Sequence, residues 1–183
     1  MKQNRIIWID YVKSFGIFLM VLCHAKLNCD MMVTAIYTFH MPLFFSISGY
    51  LFTKSNGLER EGYLKWIGDK SKRLLIPYFV ISAVSFIPKT LLEKGNLNDI
   101  GLSEFLECFF APRLNIWGHF WFLPVIFILY LAFGLWKSFL YNNSKYKNGV
   151  IVGTALVAIA MHFIRTDIAW LGFSDLCKFT VYF

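Results

Sequence analysis

The sequence predicts an all-α protein, a polytopic transmembrane helix bundle of about five complete spans plus the start of a sixth, in one integral membrane domain over residues 1–183. Three observations carry that reading. Of the 183 residues, 57% are hydrophobic and only 16% charged, where a soluble chain is nearer a quarter charged. The apolar residues form runs long enough to cross a bilayer, and the basic residues collect in blocks between those runs. Disorder is excluded and a soluble domain is not expected.

Residues 6–25 form the first predicted span, about 30 Å long as a helix, even though it contains Asp10 and Lys13. Those two charges argue against a cleaved signal peptide, and bulky Leu22 before Cys23 argues against a lipoprotein site. Residues 31–52 form the second span, aromatic-rich and interrupted by Pro42, a kink that neighbouring helices can accommodate. From 55 to 73 the composition changes to Arg60, Lys65, Lys70, Lys72 and Arg73 among Tyr63, Leu64, Trp66 and Ile67, the pattern of a cytoplasmic interfacial amphipathic helix.

The third span covers 74–92. An extracytoplasmic loop at 93–119 follows, whose apolar piece at 105–110 is too short to cross and is expected to dip into the interface. Residues 120–136 are the fourth span, 137–148 a polar turn and 149–164 the fifth; 168–183 stops mid-helix. No internal repeat suggests a transporter built of duplicated halves.

The formal charge of +7 reads as topology. With the N-terminus in the cytoplasm, the basic residues inside are Lys2, Arg5 and Lys13, the six from Lys54 to Arg73, and Lys137, Lys145 and Lys147, two-thirds of the 18. The opposite orientation leaves one-third inside. No nucleic-acid signature accompanies the basic blocks, so no nucleic-acid partner is expected. The four cysteines form no CxxC pair and read as small apolar residues, and no metal site is expected.

Within the first span Asp10, Ile17 and His24 recur every seven residues with Lys13 and Met20 between them, all on one helix face. Ionisable groups in a span are costly, so this stripe is expected to face the bundle interior or an aqueous cavity. The bland alternative pairs Asp10 with Lys13 at the interface while His24 snorkels outward. In the second span His40, Ser46 and Ser48 either line one cavity or each bond a backbone carbonyl, and Gly49 permits close helix approach. His119, just before span four, either contacts substrate or anchors the interface; Trp117, Trp121 and Trp170 read by default as an aromatic belt.

The stretch from Arg5 to Lys13 followed by His24 resembles the opening motif of the membrane acyltransferase 3 family. Phe39-His40-Met41-Pro42-Leu43-Phe44-Phe45-Ser46-Ile47-Ser48-Gly49-Tyr50 is similar to a second motif of that family, differing chiefly at Ser46. Lys70-Ser71-Lys72-Arg73 before Leu74 resembles its basic motif, and Phe120-Trp121-Phe122-Leu123 its WFL motif. The resemblance is strong from Arg5 to about Leu131 and weak beyond.

That resemblance implies an O-acyltransferase of the bacterial inner membrane, most often an O-acetyltransferase, that moves an acyl group from acetyl-CoA or another acyl-CoA to a sugar hydroxyl. The expected partners are acyl-CoA, a glycan or lipid-linked sugar acceptor, and membrane lipids, with no permanently bound cofactor. It implies His24 as the catalytic residue and Lys13, Lys70 and Arg73 as the donor-binding basic groups. His40, Ser48 and His119 are candidates for substrate contact, and Asp10, Pro42 and Gly49 for motif structure. Acyl transfer to a hydroxyl needs a proton acceptor and positive charge for the donor's phosphates, and an imidazole kept neutral by burial can accept that proton. A nucleophilic acyl-histidine serves the same chemistry. The readings from other classes are a transporter or channel whose solute path is lined by Asp10, Lys13 and His24, and an inactive acyltransferase-like domain.

Overall fold

The structure is a computed structural model that describes residues 6–25, 30–54, 62–94, 102–114, 118–164, 168 and 170–183; the side chains of residues 24, 30, 93, 94, 104, 108, 118, 119 and 170 are not among those described. The described residues are mostly helical, with no strand among them. The chain divides into two compact units, residues 1–54 with 182–183 and residues 55–181.

The first unit is built on α1, Ile7–His24, and α2, Asp30–Thr53. They run antiparallel: Trp8 near the start of α1 meets Tyr50 near the end of α2, with ring centroids 5.4 Å apart, and Cys23 near the end of α1 donates its thiol to Val33 O near the start of α2. Between these levels Gly16 faces Phe44. A Cβ at Gly16 would stand 2.9 Å from Phe44 Cζ, so only glycine lets the ring come this close. The close approach selects the buried ridge of α1, which is Ile9, Gly16 and Cys23. That ridge lies one residue before the predicted stripe of Asp10, Ile17 and His24. Asp10, Lys13 and Met20 flank it half-buried, whereas Ile17 is 49% exposed. Pro42 sits inside α2, where it withholds the N–H that would bond Thr38 O without ending the helix. Gly49 is buried as expected of a close approach, and the group it meets is the backbone of Phe183.

In the second unit α3 runs unbroken from Tyr63 to Lys94 through Pro77 and Pro88. Its 32 residues span about 48 Å, well over the hydrocarbon thickness. Residues 63–73, within the segment expected to be an interfacial amphipathic helix, are the first turns of α3, continuous with the span, and residues 55–61 lie outside those described. The physical reason is that no glycine or proline breaks the chain between Lys70 and Ile76, so the basic turns propagate into the apolar ones. Helix α4, Leu102–Phe110, packs Phe105 against Phe86 at 5.1 Å and Phe109 against Phe79 at 5.5 Å, antiparallel to α3, and Tyr78 donates its hydroxyl to Phe109 O at 3.2 Å. Leu102, Leu106 and Phe110 form a second, exposed apolar row on α4. Nine residues are too few to cross a bilayer.

Helix α5, Phe122–Leu135, is followed by a π-helical turn, Trp136–Tyr141, that carries the helix five residues past the predicted end of the fourth span. Trp136 and Tyr141 stack at 5.4 Å, and Lys147 lies 5.4 Å from the Tyr141 ring. Helix α6, Lys147–Phe163, buries only Ala158. Its apolar flanks, like those of α1 to α3, are the surface a bilayer covers. Helix α7, Phe173–Phe179, closes the unit. Three of the described helical segments, Met31–Thr53, Tyr63–Leu92 and Phe122–Tyr141, are both long and apolar enough to span a membrane.

Candidate functional site

In the first unit the basic residue Lys13 and the histidine His24 lie on the same helix, eleven residues apart and about 16 Å along its axis. Three turns separate them, so their Cα–Cβ bonds point to nearly the same side. Lys13 is half-buried; His24 closes α1, and its side chain lies outside those described. Ser14 bonds back to Asp10 O at 2.8 Å, tightening the turn that carries Asp10 and Lys13.

His40 is 2% exposed and takes the backbone-bonding alternative: its Nδ1–H donates to Ile36 O at 2.7 Å. A carbonyl can only accept, so Nδ1 carries a proton. The Tyr37 ring packs against it at 5.3 Å. His40 is therefore a buried member of α2. Ser46 is exposed and Ser48 half-buried, so the three polar groups of this motif do not share one environment.

In the second unit the basic motif is positioned by the seam between α3 and α5. Tyr63, Trp66 and Lys70 recur at helical spacing on one face of α3. Tyr63 donates its hydroxyl to Leu131 O at 3.0 Å and covers Gly134, where a Cβ would stand 2.6 Å from Tyr63 Cε2. Trp66 meets Tyr130 edge-on at 5.7 Å. Lys70 then places its ammonium 5.4 Å from the Trp66 ring and 4.3 Å from that of Tyr130. The lysine at the first position of the motif is thus held over aromatic faces, while Arg73, one turn on, is exposed. That division of labour is invisible in the motif itself.

Sequence reasoning missed one group of residues altogether. Arg113, on the 3-10 turn Pro112–Leu114, forms a two-pronged ion pair with Asp175 of α7, Nε to Oδ2 at 2.7 Å and Nη2 to Oδ1. The hydrogen bonds that Arg113 donates to Asp175 raise its guanidinium pKa above the ordinary range, against the opposing effect of burial. Its carbon also lies 4.7 Å from the ring of Trp121 in the WFL motif, and Trp121 packs on Phe179 at 5.4 Å. The pair is 62 residues apart in sequence, and no spacing signal joins them. His119 lies on the adjacent 3-10 turn, Gly118–Trp121, with its side chain outside those described, as is all of Trp117. His162 donates to Lys178 O at 2.9 Å, tying α6 to α7.

A cavity of about 290 Å³ is lined by Ile128, Ile168, Leu171, Phe173 and Leu176. Its described lining is apolar and includes none of the candidate residues.

The comparisons with known proteins agree with the motifs. The chain is 32% identical over 149 residues to the nodulation protein NolL of Sinorhizobium fredii, covering 75% of this chain and 38% of that protein. It is 27% identical to NolL of Mesorhizobium japonicum over the same length, 75% of this chain and 37% of the relative. The chain thus spans well under half the length of these curated relatives. No solved structure matches it significantly. The model of the acyltransferase 3 family, described as an acyltransferase domain, matches residues 6–183, nearly the whole length, and the chain belongs to that family.

Proposed function

We propose that the protein is a membrane O-acyltransferase, transferring an acyl group, acetyl in the first instance, from cytoplasmic acyl-CoA to a sugar hydroxyl of a surface glycan or lipid-linked sugar. The observation that carries the reading is the family match over residues 6–183. In this reading the sugar hydroxyl oxygen attacks the thioester carbonyl carbon and its proton passes to an imidazole nitrogen of His24. The carbon–sulfur bond then breaks, and the departing thiolate takes up a proton. The base contributes about 10²- to 10⁴-fold to such a step.

Lys13, Lys70 and Arg73 supply the positive charge for the donor's phosphates. Arg73 is exposed and presents a planar fork suited to phosphate, whereas Lys70 contributes charge from between Trp66 and Tyr130. Lys13 lies on α1 far enough from His24 to hold the phosphorylated end of an extended donor whose thioester reaches the histidine. Met20, half-buried, and Ile17, 49% exposed, are the side chains between them along which the donor's arm would run.

Incubating membranes from cells with and without the gene with radiolabelled acetyl-CoA tests the proposal. Label appearing in glycan only where the gene is present is the expected result. Equal labelling in both membranes would remove the assignment.

A further inference from the structure

Helices α4 and α5 both run antiparallel to α3, but they meet it at different levels. On α5, Tyr130 contacts Trp66 and Lys70, and Leu131 O accepts the Tyr63 hydroxyl. On α4, Phe105 meets Phe86, and Phe109 meets Phe79 while its carbonyl accepts the hydroxyl of buried Tyr78. Eight residues back from Tyr130, about 12 Å, α5 begins at Phe122; eight residues forward from Trp66 or Lys70, the same length, α3 has reached Leu74 to Tyr78. Helix α5 therefore starts, and α4 ends, within about one turn of the level of Tyr78. Helix α4 lies beside the later half of α3 and α5 beside the earlier half, both running the same way. Tyr78 is also the middle of Tyr63–Leu92, the stretch of α3 long and apolar enough to cross a membrane.

Two 3-10 turns, Pro112–Leu114 and Gly118–Trp121, lie between these helices. At hydrocarbon depth such irregular backbone persists only where protein buries it or where it lines a water-filled cavity. Ala111 and Pro112 meet the first condition, being buried; Leu114, 60% exposed, and Arg113, 49% exposed, do not, and so require the second. Arg113 gives its Nε–H and an N–H of Nη2 to buried Asp175, and its Nη1 has no hydrogen-bond partner among the described residues. Lipid tails cannot satisfy those N–H groups, whereas water or a hydroxyl can. We propose that α4 and α5 are the outer and inner halves of one interrupted crossing of the bilayer, and that the interruption is a hydrated polar site at hydrocarbon depth, open beside Arg113. Its location is argued from packing alone. Its use rests on the acyltransferase reading: it brings a hydroxyl-bearing acceptor from the outer face close to the depth of the basic motif, Arg73 being five residues, about 7.5 Å, from Tyr78 along α3. Asp175 offsets the Arg113 charge, so the open edge suits a neutral hydroxyl better than a phosphate.

Spin labelling of the protein in liposomes tests the arrangement, with single cysteines in a background without the native ones. The positions are exposed, so a label displaces no packing: Leu102, Leu106 and Phe110 on α4, Leu114 between the helices, and Leu131 and Leu135 on α5. Collision with oxygen, relative to a water-soluble nickel chelate, reports depth. The expected result is oxygen contact rising from Leu102 to Phe110 and falling from Leu131 to Leu135, with strong nickel contact at Leu114. A Leu114→Cys thiol should also react with a charged thiol reagent at least about tenfold faster than Phe110→Cys, and purified glycan should slow that reaction. Equal nickel contact along the whole of α4 would make it an outer-surface helix and overturn the interrupted crossing. A Leu114→Cys thiol as unreactive as Phe110→Cys would overturn the hydrated site. Neither readout needs acyl transfer: if both are as expected and the wild-type protein transfers no acyl group, the acyltransferase reading fails and the site stands. If transfer is found but glycan leaves the Leu114→Cys reaction unchanged, the acceptor's use of the site fails alone.

Discussion

The ammonium of Lys70 stands 4.3 Å from the centroid of the Tyr130 ring, so the charge that opens the basic motif on α3 is held by α5. A cation over an aromatic face is worth about 0.5 to 2 kcal/mol, rising as water is excluded. The contact fixes where the ammonium points and couples the motif to the α3–α5 seam. Lys70→Arg is expected to preserve donor affinity, since a guanidinium stacks on the same rings. Lys70→Gln is expected to raise the apparent KM for acyl-CoA about threefold to tenfold, with little change in the amount of inserted protein. Titration of initial rates against acyl-CoA checks both variants, and an unaltered KM in Lys70→Gln would remove the residue from donor binding.

The same seam predicts a contrast between two glycines. At Gly134 a Cβ would come within 2.6 Å of the Tyr63 ring and 3.2 Å of Trp66, whereas at Gly153 nothing lies within 4 Å. Gly134→Ala should destabilise the protein by about 1 to 3 kcal/mol through overpacking. Gly153→Ala, on the exposed side of α6, should be neutral or stabilising by up to about 1 kcal/mol from helix propensity. Thermal unfolding in detergent followed by size-exclusion fluorescence compares them. Equal midpoints for the two variants would contradict the packing described.

Much of the fold is legible in the sequence because membrane spans announce themselves by length. The apolar runs correspond to α1, α2, the apolar part of α3, α5 and α6, and the short run at 105–110 lies within α4, as a piece too short to cross. What was not legible depends on contacts. The buried ridge of α1 lies at Ile9, Gly16 and Cys23, one residue before Asp10 and Ile17, because Phe44 closes onto Gly16, a fact about two helices and not one. Pro77 and Pro88 do not interrupt α3. The choice His40 makes between cavity and carbonyl could not be read from spacing, since both alternatives use the same residue. Arg113 and Asp175 carried no local signal: a lone arginine in a loop and a lone aspartate near the last helix acquire meaning only when the fold brings them together.

A cytoplasmic N-terminus is the orientation that puts two-thirds of the basic residues on the inner side, and it carries a prediction. A cysteine introduced at position 60 is expected to resist an impermeant thiol reagent in intact cells, and one at position 99 to react, in a background without the native cysteines. Reaction at 60 with protection at 99 would invert the topology.

Arg73 is exposed one turn beyond the caged Lys70 and is the freer of the two to meet a phosphate. Arg73→Ala should raise the apparent KM for acyl-CoA about tenfold while leaving the glycan KM unchanged, and the affinity it removes should be the salt-sensitive part. Rate measurements at two ionic strengths check this. A change confined to glycan dependence would contradict the donor assignment.

The central claim is that His24 performs the chemistry, and the direct measurement is single-turnover transfer of radiolabelled acetyl from acetyl-CoA to glycan by His24→Ala and wild-type protein inserted in membranes at equal amounts. Loss of a general base predicts a rate lower by about 10²- to 10⁴-fold, with insertion and thermal midpoint close to wild type. Transfer at the wild-type rate by the well-inserted variant would contradict the account.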